Sequence, residues 1–214
     1  MIPMIQTKKR GIRKMRDREI RSMELRIADP GEAKEESFMV EGYASTFDTY
    51  KLFEDEGVEY FERIEPTAFD DADLSDVVFR VDHVGPVYAR TSAGTVEISV
   101  DKHGLAQRTD LSRTQRARDL FEDIKAGNYP KMSFAFTVAE GGDTYDRATH
   151  TRIINRIAKV FDIAAVSFPA NPTTELSVST RDYFNGVIEA EKAERLERER
   201  REIQKQKIRI MKGA

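Results

Sequence analysis

The sequence predicts an α+β protein, an antiparallel or mixed β core with helices at its periphery and one long charged helix at its C-terminal end. Three observations lead there. At least six segments have the length and alternation of strands. Two short helical stretches separate them without the regular strand–helix alternation of a doubly wound sheet. From Asn185 onward the composition turns abruptly to Glu, Lys and Arg. With 39% hydrophobic and 34% charged residues in a chain of 214, part of the length is expected to lie outside the core.

Residues 1–22 carry Lys8, Lys9, Arg10, Arg13, Lys14, Arg16, Arg18 and Arg21 with no sustained apolar period, and are read as a basic flexible arm. Such an arm binds nucleic acid or an acidic protein surface through charge, or is simply solvated. Residues 23–182 are read as the folded domain and 183–214 as a helical tail. Ser37 to Phe47 has strand character, with Gly42 marking a bulge. Asp48 to Glu59 is polar and acidic, which predicts an exposed loop. Pro66 opens a short helix through Ala72. Val77 to His83 alternates as a strand with Val77, Phe79, Val81 and His83 on one side, and Gly85-Pro86 predicts a turn. Val96, Ile98 and Val100 define a strand that the Asp101 to Gly104 turn returns along Leu105 onward. Ser112 to Gln115 reads as a capping box for a helix through Ala117, Leu120, Phe121 and Ile124, with Gly127 as its C-terminal cap and Pro130 beyond.

The chain then enters Lys131 to Val138, with Met132, Phe134, Phe136 and Val138 on one face and Ser133, Ala135 and Thr137 on the other. A Gly141-Gly142-Asp143 turn, a return strand through Ile153 and Ile154, and a strand around Asp162 complete the core. In the tail, Glu191 with Arg195, Glu194 with Arg198 and Glu197 with Arg201 are i,i+4 pairs worth about 0.2 to 0.5 kcal/mol each. Leu196, Ile203 and Ile210 recur every seventh residue, but Ala193, Arg200 and Lys207 spoil the second seam. An exposed helix that needs a partner is expected rather than a self-paired coiled coil.

With no cysteine, disulfides, thiol nucleophiles and thiolate zinc sites are excluded. No apolar run approaches the roughly 20 residues of a membrane span, and the basic N-terminal segment lacks the apolar stretch of a signal peptide, so an intracellular soluble protein is expected. The three histidines lack helical metal-ligand spacing, no phosphate-binding glycine loop occurs, and no cofactor or metal is expected.

Ser133 is either an ordinary serine on the less apolar face of its strand or a nucleophile. A serine hydroxyl needs a base to take its proton, and His83, His103 and His150 are the available ones. His103 lies in the Asp101 to Gly104 turn and His150 in a polar stretch, whereas His83 ends a buried strand and is the best base for Ser133. Asp162 is a single acid within the apolar run Val160 to Val166, where an unpaired carboxylate would cost several kcal/mol. It needs a partner, and orienting His83 is one arrangement that supplies it. Asp82, although adjacent to His83, alternates to the Arg80 side. Arg152 and Arg156 are available to stabilise an oxyanion, and nothing in the sequence selects between them.

Glu41-Gly42-Tyr43-Ala44, Asp82-His83, Lys131-Met132-Ser133-Phe134, and Phe161-Asp162-Ile163 running to Pro169-Ala170-Asn171-Pro172 together resemble the HK97-type tailed-phage prohead (capsid maturation) serine proteases, over roughly Met23 to Leu176. The resemblance implies a small, mostly antiparallel β-barrel wrapped by helices, as in the herpesvirus maturation proteases. It implies Ser133 as nucleophile, His83 as base and Asp162 as third member. Asp stands here where the family often has Glu, and His150 competes for the third place because the herpesvirus relatives use a second histidine. The partners implied are the major capsid protein with its scaffolding segment and the chain itself through autoproteolysis, inside the procapsid in the host cytoplasm. Homo-oligomerisation is left open, and no membrane partner is expected. The rival expectation is a non-catalytic assembly or scaffolding protein that keeps the fold.

Overall fold

Turn chemistry and alternation account for most of the strands in the computed structural model, which describes residues 18–27, 38–167 and 178–211. In chain order these are β1 (Glu19–Ile27), β2 (Met39–Thr46), β3 (Tyr50–Asp55), β4 (Val58–Ile64), β5 (Val78–Val81), β6 (Val84–Arg90), β7 (Val96–Val100), β8 (Gly104–Asp110), helix α1 (Gln115–Lys125), β9 (Lys131–Val138), β10 (Asp143–Asp146), β11 (Thr151–Ile154), β12 (Ile157–Val166) and helix α2 (Val178–Met211). The chain divides into two compact units, residues 1–176 and 177–214. The arm residues 1–17 and the Pro169 to Pro172 motif lie outside the described residues.

Eight strands run in the order β6-β5-β12-β9-β1-β2-β8-β7 and four in the order β10-β11-β4-β3. The larger set is two ladders joined by β1, whose Glu19 to Glu24 pair with β9 and whose Leu25 to Ile27 pair with β2. Pairing is antiparallel except where β12 meets β5 and β11 meets β4. The fold is therefore mixed α+β with open sheets, and among the described residues no ladder joins edge strands β6 and β7 into a barrel.

The core shows why β9 is central. Its Met132, Phe134 and Phe136 are buried beside Phe79 of β5, Ile163 of β12 and Leu105 of β8. The α1 stripe Ala117, Leu120, Phe121 and Ile124 joins them, at about 1.5 to 3 kcal/mol for each large side chain. Phe38 meets Phe121 edge-on at 5.3 Å. The cap of α1 is Thr114, whose hydroxyl accepts from the Ala117 N–H at 3.1 Å, rather than Ser112 of the expected box. Gly127, at φ 85°, takes the left-handed position expected of it.

Four local expectations change. Glu19 to Ser22, placed at the end of the basic arm by composition, instead begin β1; the alternation of Arg21, Met23, Leu25 and Ile27 in the sequence outweighs the run of charges before it. Asp48 to Glu59 is no loop but the β3–β4 hairpin, turned at Glu56 (φ 49°) and Gly57 (φ 82°). Its acidic residues hid the alternation that cross-strand packing uses, including the stacked Phe53 and Tyr60 rings 4.8 Å apart. Gly85 and Pro86 lie within edge strand β6, where proline's missing donor leaves no ladder bond unmade. The bulge expected at Gly42 falls between Tyr43 and Ser45 instead.

Candidate active site

Ser133 enters the site from β9, the strand flanked by β12 and β1. Its register partners are Ala164 on β12 and Ser22 on β1. Residues directly opposite in an antiparallel pair share a sheet face, so the methyl of Ala164 leaves room above Ser133 for a ring. His83 supplies that ring. It sits in a two-residue turn between β5 and β6, with Asp82 at φ 46° and His83 at φ 58°, both left-handed, while Val81 pairs with Val84. This turn, not strand alternation, aims the imidazole, because the expected continuation of β5 stops at Val81. The strain of two non-glycine residues there is offset by anchoring: the Asp82 N–H donates to the Ala165 carbonyl at 3.0 Å, and the Asp82 carboxylate accepts from the Ser167 N–H at 3.1 Å. Asp82 thus bonds to the end of β12 rather than to Arg80.

Asp162 arrives through an irregularity. The β9–β12 register shifts between Val160 and Asp162, and Asp162 then pairs with Ala135 on β9 and, in parallel, with Val78 on β5. Its side chain is buried, and Oδ1 lies 2.5 Å from His83 Nδ1. His83 Nε2 lies 2.8 Å from Ser133 Oγ. The structure thus brings the three sequence-selected residues into one hydrogen-bonded chain from positions 50 and 79 residues apart.

An ionised carboxylate against Nδ1 keeps the ring proton on that nitrogen, which leaves Nε2 of a neutral imidazole as an acceptor. Ser133 has a second acceptor within reach, the backbone carbonyl of Arg21 at 2.7 Å. A hydroxyl has one proton, so it satisfies Nε2 or the carbonyl but not both.

His150 and His103 are held elsewhere. His150 Nδ1 is 3.1 Å from the Tyr145 hydroxyl beside the β10–β11 turn, and His103 follows Asp101 in the β7–β8 turn with its ring 6.0 Å from that of Tyr43. The place beside His83 Nδ1 belongs to Asp162. Of the arginines weighed for an oxyanion, Arg156 donates to the Glu140 carbonyl at 2.9 Å. Arg152 is buried and forks onto Glu19 at 2.7 and 2.9 Å while its Nε donates to Asp143 at 2.7 Å.

Sequence reasoning missed the residues that β1 brings to the site. The Arg18 guanidinium, just before β1, lies 3.9 Å over the Phe161 ring and 4.0 Å from Asp162 Oδ2. Arg21 forks onto Glu62 of β4 at 2.5 and 2.6 Å, and Tyr50 of β3 donates to the same carboxylate at 2.5 Å. Burial by itself would lower the Arg21 pKa, but Glu62, Tyr50 and Glu19 hold it well above its ordinary value. Burial, then Glu62, pushes the Tyr50 phenol well up. The available signal was the alternation from Arg21 to Ile27, masked by counting Arg18 and Arg21 with the basic run.

Among the described residues no group of three or more His, Asp or Glu is arranged to hold a metal, and no helix is long and apolar enough to cross a membrane. The family described as caudovirus prohead serine protease matches residues 21–187, from β1 into α2. The chain belongs to the caudovirus prohead serine proteases. The matched segment of this prohead protease family contains Ser133, His83 and Asp162 together with the twelve strands of the described residues from Arg21 onward. Neither a curated protein nor a solved structure matches the chain.

Proposed function

We propose that the chain is the serine endopeptidase of procapsid maturation, with Ser133 as nucleophile, His83 as general base and Asp162 as the acid that orients His83. The observation that carries this reading is the unbroken series from Asp162 Oδ1 to His83 Nδ1 and from His83 Nε2 to Ser133 Oγ, at 2.5 and 2.8 Å, in a family of prohead serine proteases. Ser133 Oγ bonds to the scissile carbonyl carbon as His83 Nε2 takes its proton. The imidazolium, stabilised by Asp162, returns that proton to the leaving amine as the peptide C–N bond breaks. Water, deprotonated by the same imidazole, then cleaves the acyl ester and restores Ser133.

The substrate of this reading is the scaffolding segment of the major capsid protein, with the chain itself as a second substrate, inside the procapsid in the host cell. The residues before β1 and the charged tail are then packaging or self-removal segments. One observation speaks for the rival, a non-catalytic assembly protein: Ser133 has no exposed surface. The two part at the hydroxyl. Co-expression with the cognate capsid protein, followed by intact-mass measurement, should give defined capsid and self-cleavage products from the wild type and none from Ser133→Ala with assembly preserved. Identical masses from the two would sink the peptidase.

A further inference from the structure

What covers Ser133 is the chain's own N-terminal strand. The first half of β1, Glu19 to Glu24, lies antiparallel on β9 alone, since β2 takes up only Leu25 to Ile27. It presents a peptide carbonyl, that of Arg21, to the Ser133 hydroxyl at 2.7 Å. Ser133 Oγ meets the carbonyl oxygen rather than its carbon, so the arrangement is occupancy and not attack. The Arg21 side chain fills a buried acidic pocket, with Glu62 as its base and the Tyr50 hydroxyl 3.2 Å from Nε.

We propose that the β9 edge beneath Glu19 to Glu24 is the site for an extended peptide substrate, that β1 holds it here as an intramolecular pseudo-substrate, and that Glu62 selects a basic side chain in the place of Arg21. This deepens the peptidase reading and rests on it. Extended peptides are recognised by strand addition, in which ladder bonds supply affinity and pockets for alternate side chains supply specificity. β1 displays both elements around the nucleophile. Its fastening suits exchange. Glu19 and Arg21 are both tied by charge, and when β1 leaves, the Glu62 carboxylate loses a bidentate partner in a water-poor place. A substrate with arginine or lysine there restores the bidentate pair, whereas a neutral or acidic one leaves Glu62 with only the Tyr50 hydroxyl and the longer 3.3 Å contact to Arg152. Ser133 becomes reachable only when the first half of β1 has peeled off.

Because the chain has no cysteine, Ser133→Cys gives a single thiol whose modification by a small neutral disulfide reagent reads occupancy without turnover. The native thiol should react at least about 100-fold more slowly than the urea-unfolded one, as for a group exposed only by local opening. Ile20→Pro, which removes a strand N–H from the first half of β1, should speed the reaction at least about tenfold. Glu62→Gln, which removes the charge from the fork and keeps its shape, should do likewise and serves if the proline variant fails to fold. Native labelling as fast as unfolded labelling, or no change in either folded variant, overturns the cover.

With Ser133 intact, Ile20→Pro should accelerate capsid-protein cleavage. If the thiol opens but cleavage is lost, β1 belongs to the working enzyme and the pseudo-substrate is wrong. Peptides with Arg against Gln at the varied position should be separated by the wild type at least about tenfold in kcat/KM and much less by Glu62→Gln. Equal preference in the two proteins overturns the pocket. Failure of the peptidase reading shows separately, as identical capsid masses for wild type and Ser133→Ala; that result removes the substrate, while the thiol rates still decide the cover.

Discussion

At the scale of single residues, the proposed mechanism depends on a tautomer. Asp162 holds the Nδ1 proton at 2.5 Å and so leaves Nε2 free to accept from Ser133. Asp162→Asn keeps the shape but presents an amide, which favours the wrong tautomer; cleavage of capsid protein should fall on the order of 10³- to 10⁴-fold, with the denaturation midpoint little changed. A loss no larger than that of His150→Ala, measured beside it, would mean that Asp162 does not orient His83. Away from these three residues, Arg152 meets Glu19, Asp143 and Glu62 in one buried cluster. Arg152→Met removes one of the cluster's two cations and leaves Arg21 alone among three carboxylates, and should destabilise the fold by about 3 to 5 kcal/mol in urea unfolding. Of the three residues that the structure brings together, Asp162 stood out as an acid in an apolar run, whereas Ser133 and His83 were singled out by the resemblance. Arg21 and Glu62 were not, since each looks like an ordinary charged residue until the partner arrives from another strand.

At the scale of elements, hairpins with unmistakable turns were legible and acidic ones were not. The β7–β8 hairpin is fixed by Asp101, whose carboxylate accepts from the His103 N–H at 2.7 Å, the Tyr43 hydroxyl at 2.8 Å and the Gly104 N–H at 3.2 Å. The His103 N–H first, then Tyr43, lowers the Asp101 pKa below the usual carboxylate range. A group depressed in the folded state stabilises it above the unfolded pKa and loses that contribution as pH falls through the folded value. The turn amides of His103 and Gly104 should therefore lose protection against hydrogen exchange in acid before the β9 amides do; simultaneous loss would deny the turn its local role. Gly104 itself has no room for a side chain, because an added Cβ would lie 1.9 Å from the Ser45 carbonyl oxygen. Gly104→Ala should cost about 2 kcal/mol or more, read as a lower urea midpoint at unchanged slope. The β3–β4 hairpin escaped the sequence reading because its exposed face is so acidic that composition outvoted alternation. Likewise β1 was hidden by the basic run before it.

For the whole molecule, the mixed α+β class was legible from element counts, but the joining of two ladders through one divided strand was not, since β1 changes partner between Glu24 and Leu25 without any local marker. The charged tail was legible from composition, and its helix exposes Leu196, Ile203 and Ile210. Ending the chain after Leu196 should leave the cooperative unfolding of the first unit within about 0.5 kcal/mol of the full chain; a larger loss would show that the distal helix supports the domain. The parallel pairing of β5 with β12 has a temporal consequence. His83 waits for a partner 79 residues further along the chain, and Ser133 for one 50 residues back. Contacts at such separations form after local hairpins, because loop closure precedes their reward. In a newly made chain Asp162, His83 and Ser133 therefore come together after the local hairpins have closed. Under the proposed mechanism the chain can cut nothing until that late pairing is complete, and the delay is written in topology alone.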